Sequence, residues 1–260
     1  MCRSSDKPDT TSRKGESMTD VLTNSGVRLP QCWQDFSDVI NAGIDRVLLY
    51  GPPGTGKTYA GLFYGNITGG SYRLVCSEDM TTADVSGTWK PNGDNWTFAE
   101  GVAVQAWRAG GRLVVDEGDK ASGDVLGQLL NFLDSHASSS WQNPDTGEVV
   151  TPQPGFSAVI TSNIEHPDDL PVAIRDRFPV AIEINAPHPE ALSLLSENLR
   201  KVAESVVSAE PERRVSLRGF YAYQQLVQSG LSEERSAILT FGRKKAEGIV
   251  EALRIGRLTL

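Results

Sequence analysis

From about Gly26 the chain alternates short apolar runs with amphipathic stretches. Five runs are brief and rich in β-branched residues: "RVLLY" (46–50), "YRLVC" (72–76), "RLVVD" (112–116), "SAVIT" (157–161) and "VAIEI" (180–184). Apolar runs of this length read as strands buried on both faces, as in a parallel sheet covered by helices. Helical spacing falls between them, around 58–65, 99–109 and 122–134. The alternation predicts a three-layer α/β domain with a parallel sheet over 26–186.

After Pro187 the strand pattern stops and only helical spacing remains, which predicts a small all-helical domain over 187–260. Within it Gly230 marks a stop and Ser232 a new N-cap. Two stretches interrupt the α/β rhythm. Residues 87–98 carry Asn92-Gly93 between aromatic-flanked arms, a hairpin signal. Residues 138–155 form a second hairpin-like insertion turning at Asp145 to Gly147. The plain alternative for both is surface decoration. Residues 1–25 hold few apolar side chains and are expected to be a disordered tail, with Met18 inside it an alternative start.

Composition narrows the function classes. The chain has 260 residues, 39% hydrophobic and 22% charged, ordinary for a globular protein. A net charge of -8 argues against non-specific nucleic-acid binding, which needs a basic surface. Cys2, Cys32 and Cys76 have no close spacing and read as free thiols in a reducing compartment. No apolar run approaches the ~20 residues that cross a bilayer, and the N-terminus lacks a signal-peptide core. A cytoplasmic location without membrane insertion is therefore expected.

The chemistry begins at "YGPPGTGKTY" (50–59), directly after the first strand. Gly51, Gly54, Gly56, Lys57 and Thr58 fit the phosphate-loop pattern G-x-x-x-x-G-K-T. Glycines let the backbone wrap so that several N–H groups face phosphate oxygens, and the helix that follows adds its positive end. Lys57 can then reach the β- and γ-phosphates, and the Thr58 hydroxyl can ligate Mg²⁺. A second run, "GGRLVVDEGDK" (110–120), ends a strand in Asp116 and Glu117 at the carboxyl edge of the sheet, where open α/β sheets bind ligands. One carboxylate can hold Mg²⁺ through water while its neighbour polarises an attacking water. "AVITSN" (158–163) is a third strand ending in Asn163, whose amide is placed to contact the γ-phosphate or orient the water. The expected cofactors are ATP and Mg²⁺, since no motif reads another base.

In their order, the phosphate loop, "LVVDE", "ITSN", "LPVAIRDRF" and a helical C-terminus resemble the AAA+ ATPases. "MTTADVSGTW" (80–89) and "FAEGVAVQAWRAGGRLVVDE" (98–117) are similar to segments of the MoxR-like branch, the CbbQ and GvpN types included. The likeness covers about 30–255. It implies that Gly51, Pro52, Pro53, Gly54, Thr55, Gly56, Lys57, Thr58 and Tyr59 surround the nucleotide, with Lys57 the Walker A lysine. Asp116 and Glu117 become the Walker B pair, Thr58 and Asp116 serving Mg²⁺ and Glu117 acting as base. Asn163 becomes the sensor-1 residue and Arg218 the sensor-2 residue.

Within "LPVAIRDRF" the resemblance implies that Arg177 is a finger entering the neighbouring subunit's site, with Arg175 a second contact. The alternative is that both arginines pair inside the chain with Asp168, Asp169 or Asp176. A finger requires a closed head-to-tail ring, and the family usually forms homo-hexamers. The family also implies a client or partner protein, often one with a von Willebrand factor A domain. Trp89, Trp96 and Trp141 then either grip a polypeptide or pin their hairpins to the sheet. A DNA-linked motor and an ATP-gated assembly switch remain alternatives. One departure from the family is Gly118-Asp119, where many relatives carry an apolar residue and Asn.

Overall fold

The structure, a computed structural model, describes residues 29–121, 123–207, 209 and 214–258. The tail expected over 1–25, with Cys2 and Met18, lies outside the described residues.

The chain opens with α1 (Gln31–Asn41) and β1 (Arg46–Tyr50), followed by the phosphate loop, α2 (Lys57–Phe63) and β2 (Ser71–Val75). A short helix α3 (Thr82–Ser86) leads into the hairpin β3 (Gly87–Asn92) and β4 (Asn95–Glu100), then α4 (Val102–Ala109) and β5 (Arg112–Asp116). Next come α5 (Gly123–Leu133), the two-residue arms β6 (Trp141–Gln142) and β7 (Val149–Val150), β8 (Ser157–Thr161), α6 (Val172–Arg177) and β9 (Val180–Glu183). Helices α7 (Pro189–Ser193), α8 (Glu197–Val207), α9 (Leu217–Gln228), α10 (Glu233–Phe241) and α11 (Arg243–Leu258) complete the described residues. Ser232 caps α10 by accepting from the Arg235 N–H, as its position after Gly230 predicts.

Strands β1, β2, β5, β8 and β9 form one parallel sheet in the order β2-β5-β8-β1-β9. Alternate residues of each central strand feed opposite faces. Leu48, Leu113, Val115, Ala158 and Ile160 pack with α4 and α5 on one face. Val47, Leu49 and Val159 pack with α1 and α2 on the other. The expected three layers are present. Burial on both faces holds only in the centre, however. In β2 only Leu74 is buried and in β9 only Ile182, because these are the edge strands.

One feature was not expected from periodicity. Helix α1 is a separate amphipathic element, pinned by Trp33, whose indole N–H donates to Ala186 O at 2.9 Å. The apolar residues of α7–α11 form a cluster of their own around Phe220, Leu199, Val202 and Leu253.

Both inserted hairpins form, and they join each other. Arg108 bonds Glu100 at the end of the first and Glu148 in the second. The Asn143 amide donates to Glu100, and Asp145 accepts from the Phe98 N–H. Trp141 packs against Phe98 and so pins its hairpin, whereas Trp96 is 62% exposed.

Candidate functional site

The sheet order sets the site. β1 and β5 are separated by β8, so the phosphate loop, the Asp116-Glu117 pair and Asn163 all emerge at the same carboxyl edge. They face a cavity of about 760 Å³ whose far wall is helical, with Leu194, Leu217, Arg218 and Tyr221 contributing.

The loop is built by its glycines. Gly51, Gly54 and Gly56 all have positive φ, a region costly for side chains with a Cβ. Gly54 is constrained twice, because an added Cβ would lie 2.3 Å from Ser216 Oγ at the foot of α9. The helical cluster thus seats directly on the phosphate loop. Lys57 starts α2 and is buried. Its ammonium donates to Gly51 O at 2.9 Å, Pro52 O at 2.8 Å and Asn163 Oδ1 at 2.9 Å. Burial pushes its pKa down to about 8, against the pull of Asp116.

Asp116 is buried and surrounded. Its Oδ1 accepts from the Thr58 hydroxyl at 2.8 Å and from the Thr161 hydroxyl. Its Oδ2 accepts two N–H bonds from Arg73, one at 3.1 Å from Nε. Burial works to raise its pKa, but the bonds from Thr161, Arg73 and Thr58 outweigh that and hold it below the usual carboxylate range. Two hard oxygen donors bonded to each other beside a lysine are the protein half of a magnesium–phosphate site, where substrate oxygens and water complete the shell. Thr58 and Asp116 therefore fit Mg²⁺.

Glu117 is the one described non-glycine residue with positive φ, 56°. Its carboxylate pairs with Lys120. A Cβ at Gly118 would sit 2.8 Å from Ile160 Cγ2. Asp119 accepts from the Ser162 hydroxyl and so ties the acid loop to the loop carrying Asn163.

Most of the sequence-expected site converges. Pro53, Gly54, Thr55, Gly56, Lys57, Thr58, Tyr59, Asp116, Glu117, Asn163 and Arg218 all line the cavity. Gly51 and Pro52 lie behind it and hold Lys57 through their carbonyls. Arg175 and Arg177 are not among the lining residues. Arg175 pairs with Asp168, while Arg177 donates to Leu130 O at 3.0 Å, Ala173 O at 2.9 Å and Asp134 at 3.0 Å. Within one chain the pairing alternative thus describes Arg175 correctly, and it describes Arg177 with a different partner.

Sequence reasoning missed Arg73 and Thr161 on Asp116. It also missed a recess formed by Trp33, Tyr64 and His188. A charged residue at the centre of "YRLVC" was the available signal for Arg73. The recess had none, because its members come from α1, the residue after α2 and the turn before α7. His188 Nδ1 accepts from the Glu190 N–H, which leaves Nε2 as donor. That atom is buried without a hydrogen-bond partner among the described residues.

The chain is similar to an uncharacterized protein of Staphylococcus saprophyticus, 27% identical over 170 residues, covering 62% of this chain and 64% of that one. It is 32% identical over 143 residues to an uncharacterized protein of Staphylococcus aureus USA300, covering 52% and 54%. The chain thus spans less than two thirds of the length of these relatives. A solved structure from Cytophaga hutchinsonii is 21% identical, with TM-score 0.44 over 64% of this chain and 50% of that one. The family model described as "AAA domain (dynein-related subfamily)" matches residues 46–178, just over half the chain. With its phosphate loop, its acid pair at the end of β5 and its helical cluster closing the cavity, the chain belongs to the AAA+ ATPases, in the dynein-related AAA domain family.

Proposed function

We propose that this chain binds ATP with Mg²⁺ in the cavity between sheet edge and helical cluster, hydrolyses it, and works as a MoxR-like ring. The observation that carries this reading is the convergence on one cavity of Lys57, Thr58, Asp116, Glu117 and Asn163 from the sheet edge and Arg218 from α9. Lys57 and the loop N–H groups hold the phosphates. Thr58 and Asp116 hold the ion, which when bound offsets charge on the β- and γ-phosphates. Glu117 takes the proton of the attacking water, and Asn163 orients that water once phosphate displaces its amide from Lys57. Trp33, Tyr64 and His188 receive the base, the unpaired His188 Nε2–H serving as donor to a ring nitrogen.

Arg218 draws the helical cluster, residues 187–260, onto the nucleotide, so that binding is felt across the division between the two units. Arg175 and Arg177 act in a neighbour's site, and the assembly is a homo-hexameric ring. A guanidinium at a γ-phosphate accelerates related phosphoryl transfers by about 10³–10⁵. The ring acts on a client or partner protein, for which one bearing a von Willebrand factor A domain is the first candidate. The paired hairpins with Trp96 exposed form a surface that can meet it. No observation favours the DNA-linked alternative over this reading.

The test is steady-state ATP hydrolysis per subunit over a wide concentration range, with Glu117→Gln beside the unchanged protein. We expect the specific rate to climb with concentration, and the variant to bind ATP without turning it over. A concentration-independent rate would remove the ring, and an active Glu117→Gln would remove the assigned base.

A further inference from the structure

Asp116 accepts four hydrogen bonds in this structure, and two of them come from a cation on a different strand. β2 and β5 pair in parallel with Val75 opposite Asp116, so Arg73, two residues back, lies on the same face as the carboxylate. Its side chain reaches along the sheet edge and places Nε and one terminal nitrogen on Asp116 Oδ2. The two ends differ in setting. Asp116 has 8% of its side chain exposed, whereas Arg73 has 48% exposed and lines the same cavity as Lys57 and Thr58. One oxygen of the carboxylate is therefore committed to neutral hydroxyls and the other to a mobile-length, solvent-facing guanidinium. A buried carboxylate needs a counter-charge, and here the chain supplies its own.

We propose that Arg73 is a built-in counter-cation that competes with the divalent ion for Asp116 and so sets how much magnesium nucleotide binding requires. In the empty site Arg73 neutralises the carboxylate that would otherwise repel incoming phosphates. When the metal–nucleotide complex enters, Asp116 passes from the guanidinium to the ion's shell, and Arg73 swings on its half-exposed stem toward the phosphates. Arg73 is thus a positioning residue acting through Asp116. This inference rests on the magnesium–nucleotide reading of the cavity.

The test is equilibrium binding of a fluorescent ATP analogue, in EDTA and across a magnesium titration, for the unchanged chain, Arg73→Gln and Arg73→Lys. Two shifts are expected for Arg73→Gln. The half-saturating magnesium concentration falls by about tenfold, the scale on which a neighbouring guanidinium alters a carboxylate's affinity for a cation. Metal-free binding weakens, because Asp116 now faces the phosphates uncompensated. Arg73→Lys keeps the charge and should stay near the unchanged chain in both. A purely structural role would weaken binding with and without magnesium alike, leaving their ratio constant, and that result overturns the proposal. So does a magnesium requirement that rises in Arg73→Gln. Should Arg73→Gln fail to fold by circular dichroism, Arg73→Met, which keeps the apolar stem and removes the charge, decides: a lowered magnesium requirement upholds the proposal, and an unchanged ratio of binding with and without magnesium overturns it. If the unchanged chain binds no nucleotide, the nucleotide reading falls first and this inference with it.

Discussion

At the scale of single residues, the buried ammonium of Lys57 gives the site its own pH dependence. Its pKa lies at about 8, lowered by burial from 10.5. Between those values the unfolded chain binds more protons than the folded one, so this group's contribution to stability rises with pH across that window. Nucleotide affinity moves the opposite way, because phosphate needs the charged form. Fluorescence titration should show affinity constant below pH 8 and falling above it, by up to about tenfold per pH unit, with Lys57→Arg removing the decline. Gly54 is a second sharp case. Gly54→Ala must adopt φ +82° and also push Ser216 aside. The backbone term alone is about 1–2 kcal/mol. Adding Ser216→Gly should therefore restore only part of the lost thermal stability and nucleotide affinity. Full recovery would show that the contact, not the backbone, controls Gly54.

At the scale of elements, the two arginines of "LPVAIRDRF" do different work. The last carbonyls of α5 have no intrahelical partner. Leu130 O accepts from Arg177, while Leu133 O accepts from Arg46, which is buried in β1. Arg177 thus ties α6 to the end of α5, with Asp134 completing the contact. Arg175 pairs with Asp168, whose side chain is 85% exposed, and such surface pairs contribute at most about 1 kcal/mol. Arg177→Ala should lower unfolding free energy by about 1–3 kcal/mol, while Arg175→Ala leaves the denaturation midpoint nearly unchanged. Equal losses would mean that the α5 contact carries no special weight. The hairpins behave as one element through Arg108. In Arg108→Ala limited proteolysis should cut both insertions faster, even though they are remote in sequence.

At the scale of the whole molecule, the α/β unit and the helical cluster meet at the cavity, and residues of both line it. Ser216 seats on Gly54 so closely that any side chain at Gly54 would collide with it. If sites are shared between subunits, two dead variants complement each other. Glu117→Gln keeps the arginines and loses the base, whereas Arg175→Ala/Arg177→Ala loses both arginines and keeps the base. Mixing the two should restore ATP hydrolysis above the sum of the separate rates. An additive outcome would place both arginines outside catalysis and leave them as structural residues of α6.

The strands, the phosphate loop, the acid pair and the helical C-terminus were legible along the chain because each is a local property. A strand shows its period in five residues, and a phosphate loop needs its glycines at fixed spacing to turn the backbone. The edge position of β2 was not legible, since an edge differs from a centre only by which strands pair. Nor was the partner of Arg177, which lies 43 residues upstream at Asp134. Arg73 on Asp116, Ser162 on Asp119 and Ser216 on Gly54 share this origin. The sequence by itself determined which chemical groups are present and which local shapes they adopt. Only the tertiary structure decided which of those groups meet, because long-range pairing depends on strand order and on packing between elements, and neither leaves a trace in local spacing.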